Sequence, residues 1–169
     1  MSSKSDLGSY RKSYKKNSAF NYKDFNNPLD LFNTWFQDFD NDDSDSEVNA
    51  MSLSTVGVDG FPKSRVVLLK EYNQEGFIFY TNYNSEKGIS IDKNNKVCLS
   101  FFWEQHERQV IIKGFAKKLS NSKSIEYFNS RPRGSKLGAI VSNQSSVIES
   151  KSELVDNLLQ LFLGFHLSC

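Results

Sequence analysis

The sequence has little cysteine and no long apolar run. Its two cysteines, Cys98 and Cys169, stand far apart in 169 residues, and such a pair does not make a disulfide framework. No apolar stretch approaches the roughly 18 residues that a membrane helix needs. The opening MSSKSDLGSYRKSYKKNSAF lacks the apolar core of a secretory signal. These absences predict a soluble, cytoplasmic protein that does not interact with a membrane.

An excess of charge of either sign is also missing. Lysine and arginine total 21 against 20 aspartates and glutamates, which leaves a net charge of +1. A chain with this balance exerts no global attraction on nucleic acid, so no nucleic-acid partner is predicted and any basic footprint must be local. At this length one domain with a substantial core is expected.

Several catalytic signatures are absent as well. There is no GxGxxG and no Walker loop, and two histidines with two distant cysteines do not build a metal site. No Ser-His-Asp arrangement is evident either. If the chain binds phosphate, the lack of metal and acid–base machinery indicates that a bound cofactor carries the chemistry.

Changes in composition along the chain predict three regions. Residues 1–26 are polar and basic and are predicted to be a mobile arm. Residues 27–146 are predicted to form a β domain behind an amphipathic helix that begins at Asn27-Pro28. Residues 38–47, DFDNDDSDSE, read as a solvated acidic linker. Residues 147–169 are predicted to be a C-terminal helix and tail.

Five segments in the central region alternate or carry β-forming residues. Short helices are predicted between and after them, one of them capped by Asn84 or Ser85. The pattern favours an antiparallel barrel or sandwich, mainly β with flanking helices. The predicted strands are AMSLSTVGV, SRVVLLKEY, GFIFYT, KVCLSFFW and ERQVIIKGFAKKL.

The stretch RVVLLK places a cation at each end of an apolar strand. On a regular strand Arg65 and Lys70 point to opposite faces, unless the strand twists or bulges. The two charges have two explanations, which the sequence leaves open. They mark where the strand meets water, or they hold an anion.

A second basic cluster is YFNSRPRGS. Tyr127 and Arg131 are four residues apart and hence neighbours on one predicted helix face, which Pro132 ends. Ser135 falls near the start of the next helix, where free N–H groups favour an anion. The three side chains suit a phosphate clamp, although an arginine at a helix C-terminus has a purely structural explanation too.

Polar amides and hydroxyls form a third group. Gln144 and Ser145, in VSNQSSV, could hydrogen-bond a heteroaromatic ring or a phosphate, but they also suit an ordinary loop. Gln109 stands inside the apolar strand ERQVIIKG. A buried amide there needs a partner, either a ligand or a structural group.

Together these stretches resemble the pyridoxamine (pyridoxine) 5′-phosphate oxidase family. The resemblance runs from about Arg11 to about Leu158, and it depends most on SRPRGSKLGAIVSNQSS. It implies an FMN-binding split β-barrel that forms a homodimer with FMN at the interface. It also implies oxidation of pyridoxine or pyridoxamine 5′-phosphate to pyridoxal 5′-phosphate, in which O2 takes the electrons and gives H2O2.

The family pattern also assigns residues, and no catalytic residue beyond the flavin is implied. An arm segment is implied to fold over the substrate, and Lys70 is implied to approach both ligands. The residues implied to line FMN are Arg65, Val66, Val67, Leu68, Leu69, Lys70, Tyr80, Thr81, Lys87, Gln109, Gln144 and Ser145. Those implied to hold the substrate are Arg11, Lys12, Ser13, Tyr14, Lys70, Tyr127, Arg131 and Ser135.

Two departures from the family pattern stand out. Glu86 occupies the position where the family usually has an arginine, which removes one expected phosphate contact. The C-terminal LFLGFHLSC does not look like the family's continuation, so the chain is interpreted as truncated or diverged there. Reduced or absent activity is therefore expected. A non-catalytic protein that binds FMN or pyridoxal phosphate on the same scaffold is the alternative.

Overall fold

The computed structural model describes residues 8–10, 13–15, 22–42, 47–142, 144–148 and 150–166. By its internal contacts the chain divides into two units. The first comprises residues 1–48 and 101–110, and the second comprises residues 49–100 and 111–169. Much of the predicted arm, including Arg11 and Lys12, lies outside the described residues. The domain boundaries drawn from the sequence stay predictions.

The first unit is built on helix α1, Pro28–Asp40. Asn27 caps it: its side-chain oxygen accepts hydrogen bonds from the backbone N–H groups of Leu29 at 2.9 Å and Asp30 at 3.0 Å. Pro28 takes the first helical position, as predicted. The helix runs on through residues 38–40, so the predicted linker is wrong there. The helical Asp38 accepts a hydrogen bond from Arg108 Nη1 at 2.8 Å.

The buried face of α1 is aromatic, which explains why the helix forms where it does. Phe32 and Phe39 are buried, with ring centroids 5.2 Å from Phe101 and 6.0 Å from Trp103, respectively. The indole N–H of Trp103 donates to the carbonyl oxygen of Val48 at 3.1 Å. The polar atom of this buried ring is thereby satisfied.

Six strands follow in chain order: β1 Ala50–Val56, β2 Pro62–Leu68, β3 Glu71–Asn73, β4 Gly76–Ile78, β5 Lys96–Trp103 and β6 Arg108–Phe115. Four of them form one sheet in the order β2-β1-β5-β6. The β1–β2 pair is antiparallel, with Ala50 opposite Leu68 and Val56 opposite Pro62. Along β1 the residues Met51, Leu53 and Thr55 are buried, which is the alternation that the sequence predicted.

The predicted second strand is in fact two strands. The backbone N–H of Leu69 donates to the carbonyl oxygen of Asn49, whereas the N–H of Lys70 donates to that of Ile78, each at 2.8 Å. The chain therefore exchanges β1 for β4 as its partner between these residues. β3 and β4 form a separate two-stranded sheet. This corner means that simple alternation does not decide where Arg65 and Lys70 point.

Four further helices carry or flank the site: α2 Glu86–Lys93, α3 Asn121–Ser130, α4 Arg133–Val141 and α5 Lys151–His166. Ser85 caps α2 by accepting from the backbone N–H of Gly88 at 3.3 Å, as one of the two predicted caps. Arg131 is not on the face of α3 with Tyr127, because it follows the helix with extended backbone. Within the described part of the chain, no helix is long and apolar enough to cross a membrane.

Candidate functional site

A small open pocket of about 430 Å³ lies in the second unit, where β2 passes the start of α2. It is called the basic pocket here, because three cationic side chains and one carboxylate line it. Its lining residues are Lys63, Ser64, Arg65, Glu86, Lys87 and Ser145. The start of a helix favours anions through its free N–H groups. The pocket is therefore chemically suited to a phosphate.

Arg65 is held firmly at the wall of this pocket. Its Nη1 donates to Thr55 Oγ1 at 2.7 Å, and to the carbonyl oxygens of Lys63 at 2.9 Å and Leu53 at 3.2 Å. Thr55 is itself buried. Since the bonds to the described residues use Nη1 only, Nη2 and Nε are available within that part of the chain for the forked hydrogen bonding that suits phosphate oxygens.

The environment of Lys87 indicates whether an anionic group fits the basic pocket. Its side chain is only 8% exposed, and its nearest polar contact is Ser85 Oγ at 3.5 Å. It forms no ion pair with any described residue. Burial, and secondly the neighbouring Arg65, lower the pKa of Lys87. A buried cation that forms no ion pair is costly. The nearby charge of Glu86 offsets this cost only in part, so a bound phosphate group would supply a partner that the described residues do not.

Lys63 and Glu86 face each other at the rim. Lys63 Nζ is paired with Glu86 Oε1 and lies 3.0 Å from Asp59 Oδ2. The hydrogen bond from Lys63 lowers the pKa of Glu86, and the same bond raises the pKa of Lys63. Glu86, expected from the sequence to be a lost phosphate contact, thus has a definite partner in the pocket.

A second cavity of about 990 Å³ lies in the same unit and shares Lys87 with the basic pocket. It is called the large cavity here. Apolar and aromatic residues make up about half of its lining, and many of the others are polar or positively charged. A mixture of apolar walls and polar groups is common in small-molecule sites. The predicted site residues that line it are Val66, Val67, Leu68, Lys70, Tyr80, Thr81, Lys87, Tyr127, Arg131, Ser135 and Gln144.

Two tyrosines join separate elements within the large cavity. The rings of Tyr80 and Tyr127 are stacked, with centroids 3.6 Å apart and planes 4° from parallel. Burial is the main cause that raises the pKa of Tyr80, so the phenol stays neutral at physiological pH. The stack fixes α3 against the segment that follows β4, and it thereby positions Arg131, which comes directly after α3.

Ser135 and Ser145 reach their pockets from a helix start and a turn. Ser135 is the third residue of α4, as predicted, and it lines the large cavity together with Arg131. Ser145 has a φ of 71°, a left-handed conformation that is uncommon for residues other than glycine. That turn places Ser145 at the basic pocket while the adjacent Gln144 lines the large cavity.

Some predicted residues lie elsewhere. Gln109 is exposed on β6, in the first unit, so the expectation of a buried amide is wrong. Leu69 is buried in the core and lines neither cavity. Ser13 and Tyr14 are exposed residues of the first unit. Their predicted roles at the ligands stay predictions.

Sequence reasoning missed Lys63 altogether. It stands two residues before Arg65 on β2 and therefore shares its face of the strand. Alternation alone could have found it, had the strand been extended back to Pro62. In the described part of the chain, no cluster of histidine, cysteine, aspartate or glutamate could hold a metal ion.

Comparison with solved structures gives the fold. PhzG of Burkholderia lata 383, solved with tetrahydrophenazine-1-carboxylic acid, matches with a TM-score of 0.79 at 24% identity, over 88% of this chain and 74% of that chain. A pyridoxamine 5′-phosphate oxidase-related, FMN binding protein of Nostoc punctiforme matches with a TM-score of 0.59 at 12% identity, over 76% and 71%. The fold is the split β-barrel of FMN-binding proteins, as predicted.

Sequence comparison then gives the family. Residues 45–163 match the family model described as "Pyridoxamine 5'-phosphate oxidase". A pyridoxine/pyridoxamine 5′-phosphate oxidase of Flavobacterium johnsoniae is 59% identical over 160 residues, which are 95% of this chain and 75% of that protein. The one of Flavobacterium psychrophilum is 55% identical over 156 residues, or 92% and 73%. The chain belongs to the pyridoxamine 5′-phosphate oxidase family, which confirms the predicted enzyme class, an oxidoreductase that uses FMN.

Proposed function

We propose that this chain oxidises pyridoxine 5′-phosphate or pyridoxamine 5′-phosphate to pyridoxal 5′-phosphate, with O2 as the electron acceptor. One observation carries the proposal. Two cavities with side chains suited to phosphate, the basic pocket and the large cavity that Tyr127, Arg131 and Ser135 help to line, share the residue Lys87. An FMN-dependent enzyme with a phosphorylated substrate needs two such sites within reach of each other.

The basic pocket would hold the phosphate of FMN. Arg65 offers its two free nitrogens, Lys87 its buried charge and Ser145 a hydroxyl. The remaining predicted cofactor residues in the large cavity, namely Val66, Val67, Leu68, Lys70, Tyr80, Thr81 and Gln144, would surround the rest of the cofactor. Bound there, FMN would supply the two-electron acceptor for the hydride at C4′ of the substrate, with O2 as the final acceptor.

The other side of the large cavity would hold the ester phosphate of the substrate. Arg131 supplies a planar fork for two phosphate oxygens, while Tyr127 and Ser135 supply hydroxyl groups. Lys70 lines the same cavity and would approach the bound ring. With both ends of the substrate held, C4′ is oriented before reaction, and orientation contributes much of the rate.

The atoms balance for both substrates. Pyridoxine 5′-phosphate and O2 give pyridoxal 5′-phosphate and H2O2. Pyridoxamine 5′-phosphate in addition takes up one water and releases ammonia. The chain's own residues bind, orient and exclude water in this scheme, and no side chain is required as a nucleophile. The cytoplasmic location, the arm as a lid and the contact of Gln109 with FMN stay predictions.

We also propose that the chain acts as a homodimer. The sheet of the described residues ends in β2 and β6, and open strand edges promote pairing with another chain. Val66 on β2 is 69% exposed, and Ile111 and Phe115 on β6 are 60% and 74% exposed. Apolar side chains exposed on edge strands are typical of an interface.

The test is a coupled assay on the purified chain with FMN and each B6 phosphate. We expect H2O2 and pyridoxal 5′-phosphate to form in equal amounts, with the flavin bleaching when O2 is excluded. The rate compared with the roughly 10 per second of a median enzyme tests the expected reduction in turnover. A yellow protein that neither bleaches nor releases peroxide would contradict the oxidase and support the non-catalytic binder.

A further inference from the structure

We propose that Glu86 limits the affinity of the basic pocket for phosphate by neutralising Lys63, one of its three cations. The inference rests on the proposed function only in that FMN is the phosphate ester used to test it. It concerns two residues, Lys63 and Glu86, that were not assigned a role in binding.

The geometry places this carboxylate where an anion must approach. Glu86 and Lys87 are adjacent at the start of α2, and both line the basic pocket together with Lys63. Lys63 Nζ contacts Glu86 Oε1 at the rim and is also 3.0 Å from Asp59 Oδ2. Because Asp59 lies outside the pocket lining and holds Lys63 independently, Lys63 stays at the rim when Glu86 loses its charge.

Charge counting gives the direction of the effect. Among the lining residues, Lys63, Arg65 and Lys87 bring three positive charges and Glu86 one negative charge. Asp59, 3.0 Å from Lys63, adds a second negative charge at the rim, so the net charge is about +1. A phosphate monoester carries about −1.5 to −2 near neutral pH, which outweighs the net positive charge of the pocket. Without the carboxylate the pocket becomes more positive and also loses a group that repels the phosphate.

The size of the effect follows from exposure. Glu86 and Lys63 are both partly open to water, so solvent and salt screen the repulsion between carboxylate and phosphate. At separations of several ångströms in a water-like dielectric, we expect a change of roughly threefold to tenfold in the dissociation constant of FMN.

Glu86 also has a structural role that the test must separate. It is the first residue of α2, where a negative charge interacts favourably with the helix dipole. A purely structural loss on substitution would weaken FMN and riboflavin alike. Riboflavin has the same ring system as FMN but no phosphate, so the ratio of the two affinities isolates the basic pocket.

The experiment measures binding of FMN and riboflavin by flavin fluorescence for the wild type and for Glu86→Gln. We expect Glu86→Gln to bind FMN roughly threefold to tenfold more tightly, to leave riboflavin unchanged, and to show a steeper loss of FMN affinity with salt. Glu153→Gln is the matched control, since Glu153 is also in the first turn of a helix, α5, but lines neither cavity.

A double-mutant comparison tests the pairing itself. Lys63→Met should weaken FMN binding, because it removes a cation and leaves Glu86 without this partner. Glu86→Gln should then tighten binding less in the Lys63→Met background than in the wild type, because no lysine is left for the substitution to release. An equal gain in both backgrounds would contradict the neutralisation of Lys63 by Glu86.

The outcomes separate the two proposals. If the wild type prefers FMN over riboflavin and Glu86→Gln shows the same preference, the proposed role of Glu86 is overturned. The phosphate site of the proposed function would still stand. A variant that weakens both flavins together would overturn the role of Glu86 also, in favour of a structural role. A wild type that binds FMN no more tightly than riboflavin would overturn the phosphate site of the proposed function.

Discussion

At the level of the single residue, Lys87 combines burial with a charge that has no ion-pair partner among the described residues. Burial lowers the pKa of Lys87, and Arg65 lowers it further. In the free protein the charged form is thus disfavoured, so the folded chain releases this proton at a lower pH than the unfolded chain. The stability of the free protein should therefore rise as pH increases from the pKa of Lys87 in the folded chain to its pKa in the unfolded chain.

Binding of FMN should have the opposite dependence on pH. The phosphate attracts Lys87 only while it is protonated, so the preference for FMN over riboflavin should decline as pH rises through the lowered pKa of Lys87. The decline should occur at a pH below about 10.4, near which an exposed lysine loses its proton. Fluorescence titrations with both flavins across the alkaline range would measure it.

An arginine variant provides the control for that prediction. Lys87→Arg keeps its charge at every accessible pH, so its preference for FMN should become independent of pH. Lys96→Arg, an exposed substitution at the start of β5, should behave as the wild type does. A pH profile that is the same in Lys87→Arg and the wild type would assign the decline to some other group.

Arg131 should separate binding of substrate from binding of cofactor. It lines the large cavity beside Tyr127 and Ser135 but does not line the basic pocket. Loss of a charged hydrogen-bond donor is worth roughly 1.5–3 kcal/mol, so Arg131→Ala should raise the KM for pyridoxamine 5′-phosphate by about tenfold to a hundredfold. The dissociation constant of FMN should stay within about twofold of the wild type.

Arg133→Ala is the neighbouring control for Arg131→Ala, because Arg133 is exposed and lines neither cavity. Its KM should stay near that of the wild type. If Arg131→Ala instead weakened FMN and substrate to the same degree, the division of the two phosphate sites would be incorrect.

At the level of the element, helix starts were predictable from sequence and strand partners were not. Asn27-Pro28 and Ser85 predicted where α1 and α2 begin, because a capping hydrogen bond joins residues that are close together in the chain. The end of β2 was not predictable, because Leu69 and Lys70 are as compatible with a strand as the residues before them. Only the change of partner, from Asn49 to Ile78, creates the corner.

Helix α2 requires glycine at position 88, because a side chain there has no room. A Cβ at this position would lie 2.3 Å from the carbonyl oxygen of Tyr83, which is backbone and cannot simply rotate away. We predict that Gly88→Ala shifts the start of α2, with a loss of roughly 1–3 kcal/mol in the free energy of unfolding. The melting temperature should fall by several degrees, and FMN affinity should fall because Lys87 moves with the helix.

Gly134→Ala is the control for the Gly88 variant. Gly134 lies in helix α4, and a Cβ there meets nothing within 4 Å. Alanine favours a helix over glycine by up to about 1 kcal/mol, so Gly134→Ala should be neutral or slightly stabilising. If both variants are equally destabilised, the close contact between a Cβ at position 88 and Tyr83 is not the reason that glycine is required there.

At the level of the whole molecule, residue types indicated the candidate cavities better than they indicated residue partners. The string around Arg131 and Ser135 suited either a phosphate clamp or a structural helix end, and the structure brings those residues to one cavity. The pair Lys63–Glu86 joins residues 23 positions apart, so no local pattern could reveal it. Gln109 was misjudged for a related reason, since an apolar strand can still have one face in water.

Assembly into a dimer gives the last prediction. Ile111 is 60% exposed on the edge strand β6 and lines neither cavity. A lysine there would place a charge in any interface that buries β6, which costs several kcal/mol when it has no partner. Ile111→Lys should therefore shift the mass in solution from dimer to monomer in light scattering or sedimentation.

Val58→Lys is the matched variant, an equally exposed apolar residue in the turn between β1 and β2, and it should remain dimeric. If FMN lies at the interface, Ile111→Lys should in addition lose FMN affinity as it dissociates, whereas Val58→Lys should not. A dimer that survives Ile111→Lys would exclude β6 from the interface. A wild type that is monomeric while binding FMN tightly would show that one chain suffices to build the flavin site.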